Sequence, residues 1–273
     1  MSQISLPTML GIDFVEVNNM MTSEGEQKIS LAIDGGHNIR GETYDLLKGA
    51  GFRFTVWENG KLHAVVEDDP ILGSITICRG EDISFRLVEG VHKFAIYGRD
   101  RLRDAQLGGM EITEIAALGI SICQVALEVP VDSWYQKPED LEGARIAASL
   151  RNLARDYFER HHTNVRFVQY TGKEEGAPGS GAADASVAIY ETGGSMIEND
   201  LRRIDKPAIL ISEGVLAAPT KFLEEHGSEL IVRQFIDRIT QTVGRSVGVV
   251  DHSDGDLPIS VPRTVQMRPA VPA

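Results

Sequence analysis

Gly172-Lys-Glu-Glu-Gly-Ala-Pro-Gly-Ser-Gly-Ala-Ala-Asp-Ala-Ser-Val-Ala-Ile-Tyr-Glu-Thr-Gly-Gly-Ser-Met-Ile-Glu-Asn-Asp-Leu201 is the stretch on which the reading of this chain turns. A Gly-rich approach leads into a short apolar strand, Ala185 to Tyr190. A tight turn follows, Glu191-Thr192-Gly193-Gly194-Ser195, and then a polar helix start. Two glycines let the backbone reach positive φ and come close to a ligand. The first turn of a helix leaves its N–H groups unpaired, with the positive end of the dipole behind them. With the hydroxyls of Thr192 and Ser195 added, the turn makes a cradle for a phosphate. The same residues also fit an ordinary strand–turn–helix connection with a Ser cap.

Outward from that turn, the chain alternates strands and helices. Val165 to Tyr170 is the preceding strand, Leu150 to His161 an amphipathic helix with Leu153, Tyr157 and Phe158 on one side, and Arg145-Ile146-Ala147 a strand start. His161-His162 has no Cys or close carboxylate–His spacing beside it, so it reads as a solvated helix end. Further upstream, Ile29 to Ile33 is a strand, Asp34 to Asn38 a loop, and Arg40 to Ala50 a helix stopped at Gly49 and Gly51. Strand, glycine loop, helix is the unit that places ligands at the carboxyl edge of an open parallel sheet. Strands are expected over Phe52–Trp57 and Leu62–Val66, joined at an Asn59-Gly60 turn, then over Ser74–Cys78 and Phe94–Tyr97, with a helix over Asp82–Val88. Glu111 to Ile115 and Ser121 to Val129 are β-rich and read as a crossover into a second lobe. Downstream, Ala208 to Ile211 is a strand, and Pro219 to Val243 a long helix loosened at Gly227. The residues up to Gln27 read as a leader, and the Pro-rich end as a draped tail.

A chain of 273 residues with 42% hydrophobic and 25% charged residues has room for proper cores. Its net charge of -13 argues against a nucleic-acid surface, which needs a basic face. Cys78 and Cys123 sit in apolar runs and read as buried free thiols. No basic-then-apolar leader and no spanning apolar run is visible, so no membrane and a cytoplasmic location are expected.

Gly172-x-x-Glu175-x-Ala177-Pro178, Gly181-x-Ala183-Asp184-Ala185, Thr192-Gly193-x-Ser195 and Asn199-x-Leu201 together resemble the signature of ATP phosphoribosyltransferase, the first enzyme of histidine biosynthesis, in its short form. Arg79-x-x-Asp82-Ile83, Val88-x-Gly90-Val91 and Ile96-x-Gly98-x-Asp100 stand where that family has further segments, although Asp100 also fits a helix cap or turn. The resemblance implies an α/β, two-lobed, type II periplasmic-binding-protein-like fold with mostly parallel sheets and a central cleft. Residues 1–104 plus 205–250 would form lobe I, 105–204 lobe II with the phosphate loop, and 251–273 a flexible tail.

The resembled enzyme joins N1 of ATP to the ribose of phosphoribosyl pyrophosphate (PRPP) and releases pyrophosphate, with Mg²⁺. Carried over residue by residue, Glu191, Thr192, Gly193, Gly194 and Ser195 would hold the 5-phosphate. Asp184 would face the ribose hydroxyls, with a share in Mg²⁺ that arrives with substrate, and Glu175 would shape the same wall. Gly36, Arg79, Asp82, Gly98 and Asp100 would stand on the acceptor side. A homo-oligomer and a separate regulatory subunit are the expected partners.

Departures from the family pattern matter as much. The family's first-loop Pro-Lys-Gly-Arg is Asp34-Gly35-Gly36-His37 here, its Arg-Lys-Leu is Gly60-Lys61-Leu62, and the second Asp of its Asp-x-x-x-Asp pair is Ala188. Each lost cation removes a charge-assisted phosphate contact worth about 1.5–3 kcal/mol. Arg40, Lys61, Arg79, Arg99 and Lys173 are the candidates to compensate. Three readings follow: a phosphoribosyltransferase with ATP or another acceptor, a catalytically weak relative that binds phosphorylated ligands or pairs with an active subunit, and a non-enzymatic two-lobe solute binder.

Overall fold

Ile29-Ser-Leu-Ala-Ile-Asp34 forms the innermost strand, β1, and its alternation explains the first core. Leu31 and Ile33 enter one apolar cluster and the small Ala32 the cluster on the opposite face. A strand covered on both faces carries little polarity, which this one shows. The computed structural model describes residues 28–56, 62–170, 172–190 and 193–246. The leader up to Gln27, Trp57, the Asn59-Gly60 turn, Lys61, Glu191, Thr192 and the tail from residue 251 lie outside the described residues.

After β1 come α1 (His37–Gly49), β2 (Phe54–Val56), β3 (His63–Val66), β4 (Leu72–Cys78), α2 (Gly80–Val88), β5 (Phe94–Gly98), α3 (Arg99–Leu107) and β6 (Ile112–Ala117). The chain then builds β7 (Cys123–Pro130), β8 (Arg145–Ala148), α4 (Arg151–Arg160), β9 (Arg166–Gln169), the single turn α5 (Gly176–Gly179), β10 (Ala185–Tyr190), α6 (Gly194–Glu198), β11 (Leu201–Arg203) and β12 (Leu210–Ser212). It closes with β13 (Gly214–Pro219), α7 (Thr220–His226) and α8 (Leu230–Ser246), the long helix being interrupted at Gly227.

Two sheets result. One runs β2-β3-β4-β1-β5-β13-β6; the other runs β11-β7-β10-β8-β9, with β12 also paired to β7. The chain therefore passes between the sheets twice, through residues 118–122 and through Glu213. Those crossings replace the boundaries the sequence suggests at 104/105 and 204/205, because β6 joins the first sheet beside β13 and β12 remains on the second.

The sheets are mixed rather than mostly parallel. Among the described residues only β1·β4, β1·β5, β8·β10 and β8·β9 are parallel, and seven other ladders are antiparallel. β2 and β3 pair antiparallel, and β7 and β13, the strands entered at each crossing, run against their neighbours.

α8 lays Ile231, Phe235 and Ile239 on the first core, where Phe235 meets Phe94 at 4.8 Å and Phe52 at 5.8 Å between ring centroids. Truncating such a fully buried Phe to Ala costs about 3–5 kcal/mol. The second core gathers Leu127, Ile146, Leu153, Phe158 and Val187. The lobes also touch. Asp104 on α3 accepts the amides of Asn152 and Leu153 at 2.8 and 2.9 Å, capping α4 of the other lobe. Arg99 pairs with Glu114 at 2.7 Å and with Glu213 at 2.8 Å, so one guanidinium holds β6 and the second crossing together. No helix of the described residues is long and apolar enough to cross a membrane.

Candidate functional site

β10 aims the chain at a turn whose geometry only glycine serves well. Gly193 has φ 79° and ψ 4°, the left-handed region, and is buried. A Cβ there would meet the Tyr190 ring at 2.9 Å. Gly194 and Ser195, the first residues of α6, are exposed. Tyr190, Gly193, Gly194, Ser195 and Met196 form one wall of a cavity of about 180 Å³, and Glu128, Glu175 and Ile189 complete it. The lining comes from the second lobe alone, whereas the sequence places the turn in a crevice between lobes.

Glu128 is the anomaly in that cavity. It is 1% exposed, and its Oε2 has no hydrogen-bond partner among the described residues. In the ladders of β7 it stands opposite Ser186 of β10 and Arg203 of β11. Burial pushes its carboxyl up to about 7, helped by the charges of Glu175 and Asp205 and opposed by Arg203 and Ser186. Arg203 is committed elsewhere. Its Nε donates to Asp205 at 3.1 Å, its Nη1 donates to Gln124 at 2.7 Å, and its guanidinium lies 5.0 Å from the Tyr190 ring centroid. No basic side chain lines the cavity among the described residues.

The sequence-derived residues divide by place. Glu175, which precedes α5, joins Gly193, Gly194 and Ser195 around the cavity. Glu191 and Thr192 lie outside the described residues. Asp184 is not brought into the lining. It precedes β10, where its Oδ1 accepts Arg145 Nη2 at 2.8 Å and its Oδ2 accepts the Arg145 amide at 2.8 Å and Nε at 3.2 Å. The guanidinium holds that carboxyl below the usual range. Asp184, expected to face the ribose and share a metal, thus stands outside the cavity lining with Arg145 on both of its oxygens.

The residues expected on the acceptor side are gathered on the first sheet. Gly36, Arg79 and Gly98 immediately precede α1, α2 and α3, at the carboxyl ends of the adjacent strands β1, β4 and β5. Asp34 accepts the Gly36 amide at 2.9 Å, and burial raises its carboxyl. A side chain at Gly80 would run into the Asp34 carboxylate and the Arg101 guanidinium. Asp100 is buried and accepts the Ser212 hydroxyl at 2.7 Å, whereas Arg79 and Asp82 are exposed.

Sequence reasoning passed over Glu128, Tyr190 and Arg203. Glu128 had a usable signal. An acidic residue inside the apolar run Val125-Ala-Leu-Glu-Val129 is costly unless something uses it. Arg203 had less, since Gln124 reaches it only across the sheet even though Asp205 stands two residues away.

Fold and site thus define a two-lobed α/β protein with a glycine turn over an acidic cavity on its second sheet. The family model described as "ATP phosphoribosyltransferase" (HisG) matches residues 79–241. An ATP phosphoribosyltransferase from Ignicoccus hospitalis is 32% identical over 194 residues, 71% of this chain and 66% of that protein. One from Methanopyrus kandleri is 32% identical over 178 residues, 65% of this chain and 61% of that protein. The chain belongs to the ATP phosphoribosyltransferase family. It spans between 61 and 66% of the length of these two curated relatives. Among solved structures, an ATP phosphoribosyl transferase (HisG:HisZ) complex from Thermotoga maritima superposes with a TM-score of 0.64 at 23% identity. That match covers 80% of this chain and 99% of that one, and confirms the fold.

Proposed function

We propose that this chain transfers the phosphoribosyl group of PRPP to a nitrogen acceptor, on ATP as the family name implies, with release of pyrophosphate. The observation that carries the proposal is one cavity that joins the amide turn at Gly193–Ser195 to the carboxylates of Glu128 and Glu175. In this reading the amides of Gly194 and Ser195 bind the 5-phosphate. The acceptor nitrogen attacks C1 of the ribose, and the C1–O bond breaks with its electron pair leaving on pyrophosphate. Positive charge on the ribose ring is then met by carboxylate, while anchored reactants supply the proximity. The residues after β1, β4 and β5 face the acceptor, with exposed Arg79 as the cation at that edge.

Mg²⁺ would arrive with the diphosphate, held by phosphate oxygens and water as this cation prefers, and would offset the leaving group's charge. That suits the donor set, since among the described residues no three His, Cys, Asp or Glu side chains are grouped to hold a metal. A homo-oligomer with a regulatory subunit, acting in the cytoplasm, belongs to the same proposal. The Thermotoga maritima protein was solved as a HisG:HisZ complex.

A second reading, a weak catalyst that binds phosphorylated ligands or pairs with an active subunit, draws on specific observations. Arg99 is consumed by Glu114 and Glu213, and the cavity carries no cation among the described residues. Incubation with PRPP, ATP and Mg²⁺ followed by pyrophosphate detection separates the two. Stoichiometric release that depends on ATP supports the transferase, and PRPP binding without release supports the second reading.

A further inference from the structure

The cavity contains a carboxylate that the family motif does not supply, and strand register explains where it comes from. The second Asp of the motif is Ala188 here. In the β7·β10 ladder, Ala188 faces Ala126 and Ser186 faces Glu128. Glu128 therefore stands diagonal to Ala188 on the same face of the sheet, about 7–8 Å away between backbones. Its side chain is one methylene longer than that of Asp, and the two alanines leave space across the gap. A carboxylate lost from one strand has a replacement on the next.

The chemistry of the cavity says what such a carboxylate would touch. Glu128 Oε2 is buried with no partner within hydrogen-bond distance among the described residues, the Ser186 hydroxyl opposite it being equally unpartnered, a cost that folds tolerate where a ligand completes the site. A phosphate oxygen is a poor completion, because both groups are acceptors and carry like charge. A hydroxyl is a good one. An amide wall for an anion and an acidic wall for hydroxyl donors together suit a ligand that has both, a phosphorylated sugar.

Resting on the function proposed above, we propose that Glu128 takes over from the missing motif Asp and accepts hydrogen bonds from the ribose hydroxyls of the phosphoribosyl ligand, fixing specificity for a sugar phosphate. Calorimetric titration of PRPP, ribose 5-phosphate and inorganic phosphate into wild type, Glu128→Gln and Glu128→Ala/Ala188→Asp tests it, with a melting temperature for each protein. Glu128→Gln is expected to weaken both sugar phosphates by about tenfold or more, the value of one hydrogen bond to a charged group. Inorganic phosphate binding should stay within about twofold, because it never reached the acidic wall. The melting temperature should not fall, since the variant removes an unpaired buried charge. Recovery of sugar-phosphate affinity in the double variant supports the relocation directly.

Sugar-phosphate affinity unchanged in Glu128→Gln overturns the role of Glu128 while leaving the transferase reading in place. An equal loss for phosphate and sugar phosphates, or a lowered melting temperature with lost binding, reveals a structural part and overturns it too. A wild-type protein that binds phosphate but neither sugar phosphate overturns both this inference and the proposed function.

Discussion

Asp184 and Glu128 stand close together in the second lobe, Asp184 just ahead of β10 and Glu128 facing Ser186 within it, and they differ in nearly everything else. Arg145 engages both oxygens of Asp184 and holds its carboxyl below the ordinary range. Glu128 is buried, has an oxygen with no partner among the described residues, and burial pushes its carboxyl up to about 7. The first is paired within the fold, each of its oxygens accepting from Arg145. The second is a polar group left open, and open groups in buried places mark where a ligand belongs. A motif match points to Asp184; the geometry points to Glu128.

The largest effect that bears on this contrast comes from the turn that the open carboxylate faces. Gly193→Val is expected to abolish PRPP binding in calorimetry while far-UV circular dichroism stays unchanged, because a side chain there collides with Tyr190 at a positive φ. PRPP affinity equal to wild type would discard the phosphate cradle. Next is Arg203→Met, which strips the cation from buried Asp205 and from the neighbourhood of Glu128. Urea unfolding should show a loss of about 3 kcal/mol, typical of breaking a buried pair at one partner. A loss below about 1 kcal/mol would mean that the cation does not offset these buried carboxylates.

Glu128→Gln should act in the opposite direction and only at higher pH. The folded protein favours the neutral carboxyl, so it binds more protons than the unfolded chain between the ordinary 4.5 and about 7. The stability that comes from this proton is complete below about pH 4.5 and is lost as pH rises through about 7. Gln imitates the neutral form at every pH. Relative to wild type the variant should therefore gain about 3 kcal/mol near pH 8 and almost nothing near pH 4. A pH-independent difference would refute the buried titration. The smallest effect is expected for Asp184→Asn, with PRPP affinity within about twofold of wild type. A loss beyond tenfold would return Asp184 to the site and dissolve the contrast.

Much of the scaffold was legible because large apolar side chains recur at the right periods. β10 begins and ends where its composition places it, and β1 extends only one residue beyond. What escaped was carried by long-range pairing. α3 reads Arg-Asp-Arg-Leu-Arg-Asp, and its helix is made worthwhile by buried Leu102 and Ala105. β13 has two alanines and a terminal proline, yet it lies between β5 and β6, where burial outweighs weak strand propensity. Asp184 invited a catalytic role because Arg145, its partner, sits 39 residues away. Arg99 looked free for phosphate until Glu114 and Glu213 were seen around it. Gly36, Arg79 and Gly98 come to one edge because three adjacent strand–helix units each end in the same way.

The paired contacts at Arg99 and Asp104 have a mechanical consequence. With one connection of five residues (118–122) and another of a single residue, Glu213, neither half can slide far past the other. What remains is swivelling about one corner, as a door swings on two pins placed close together. Asp104 on α3 adds two charge-assisted bonds to α4, which act as a latch. Each bond of that kind is worth about 1.5–3 kcal/mol. Swinging wide enough to release α4 thus demands several kcal/mol, and whatever enters or leaves between the halves does so against that resistance.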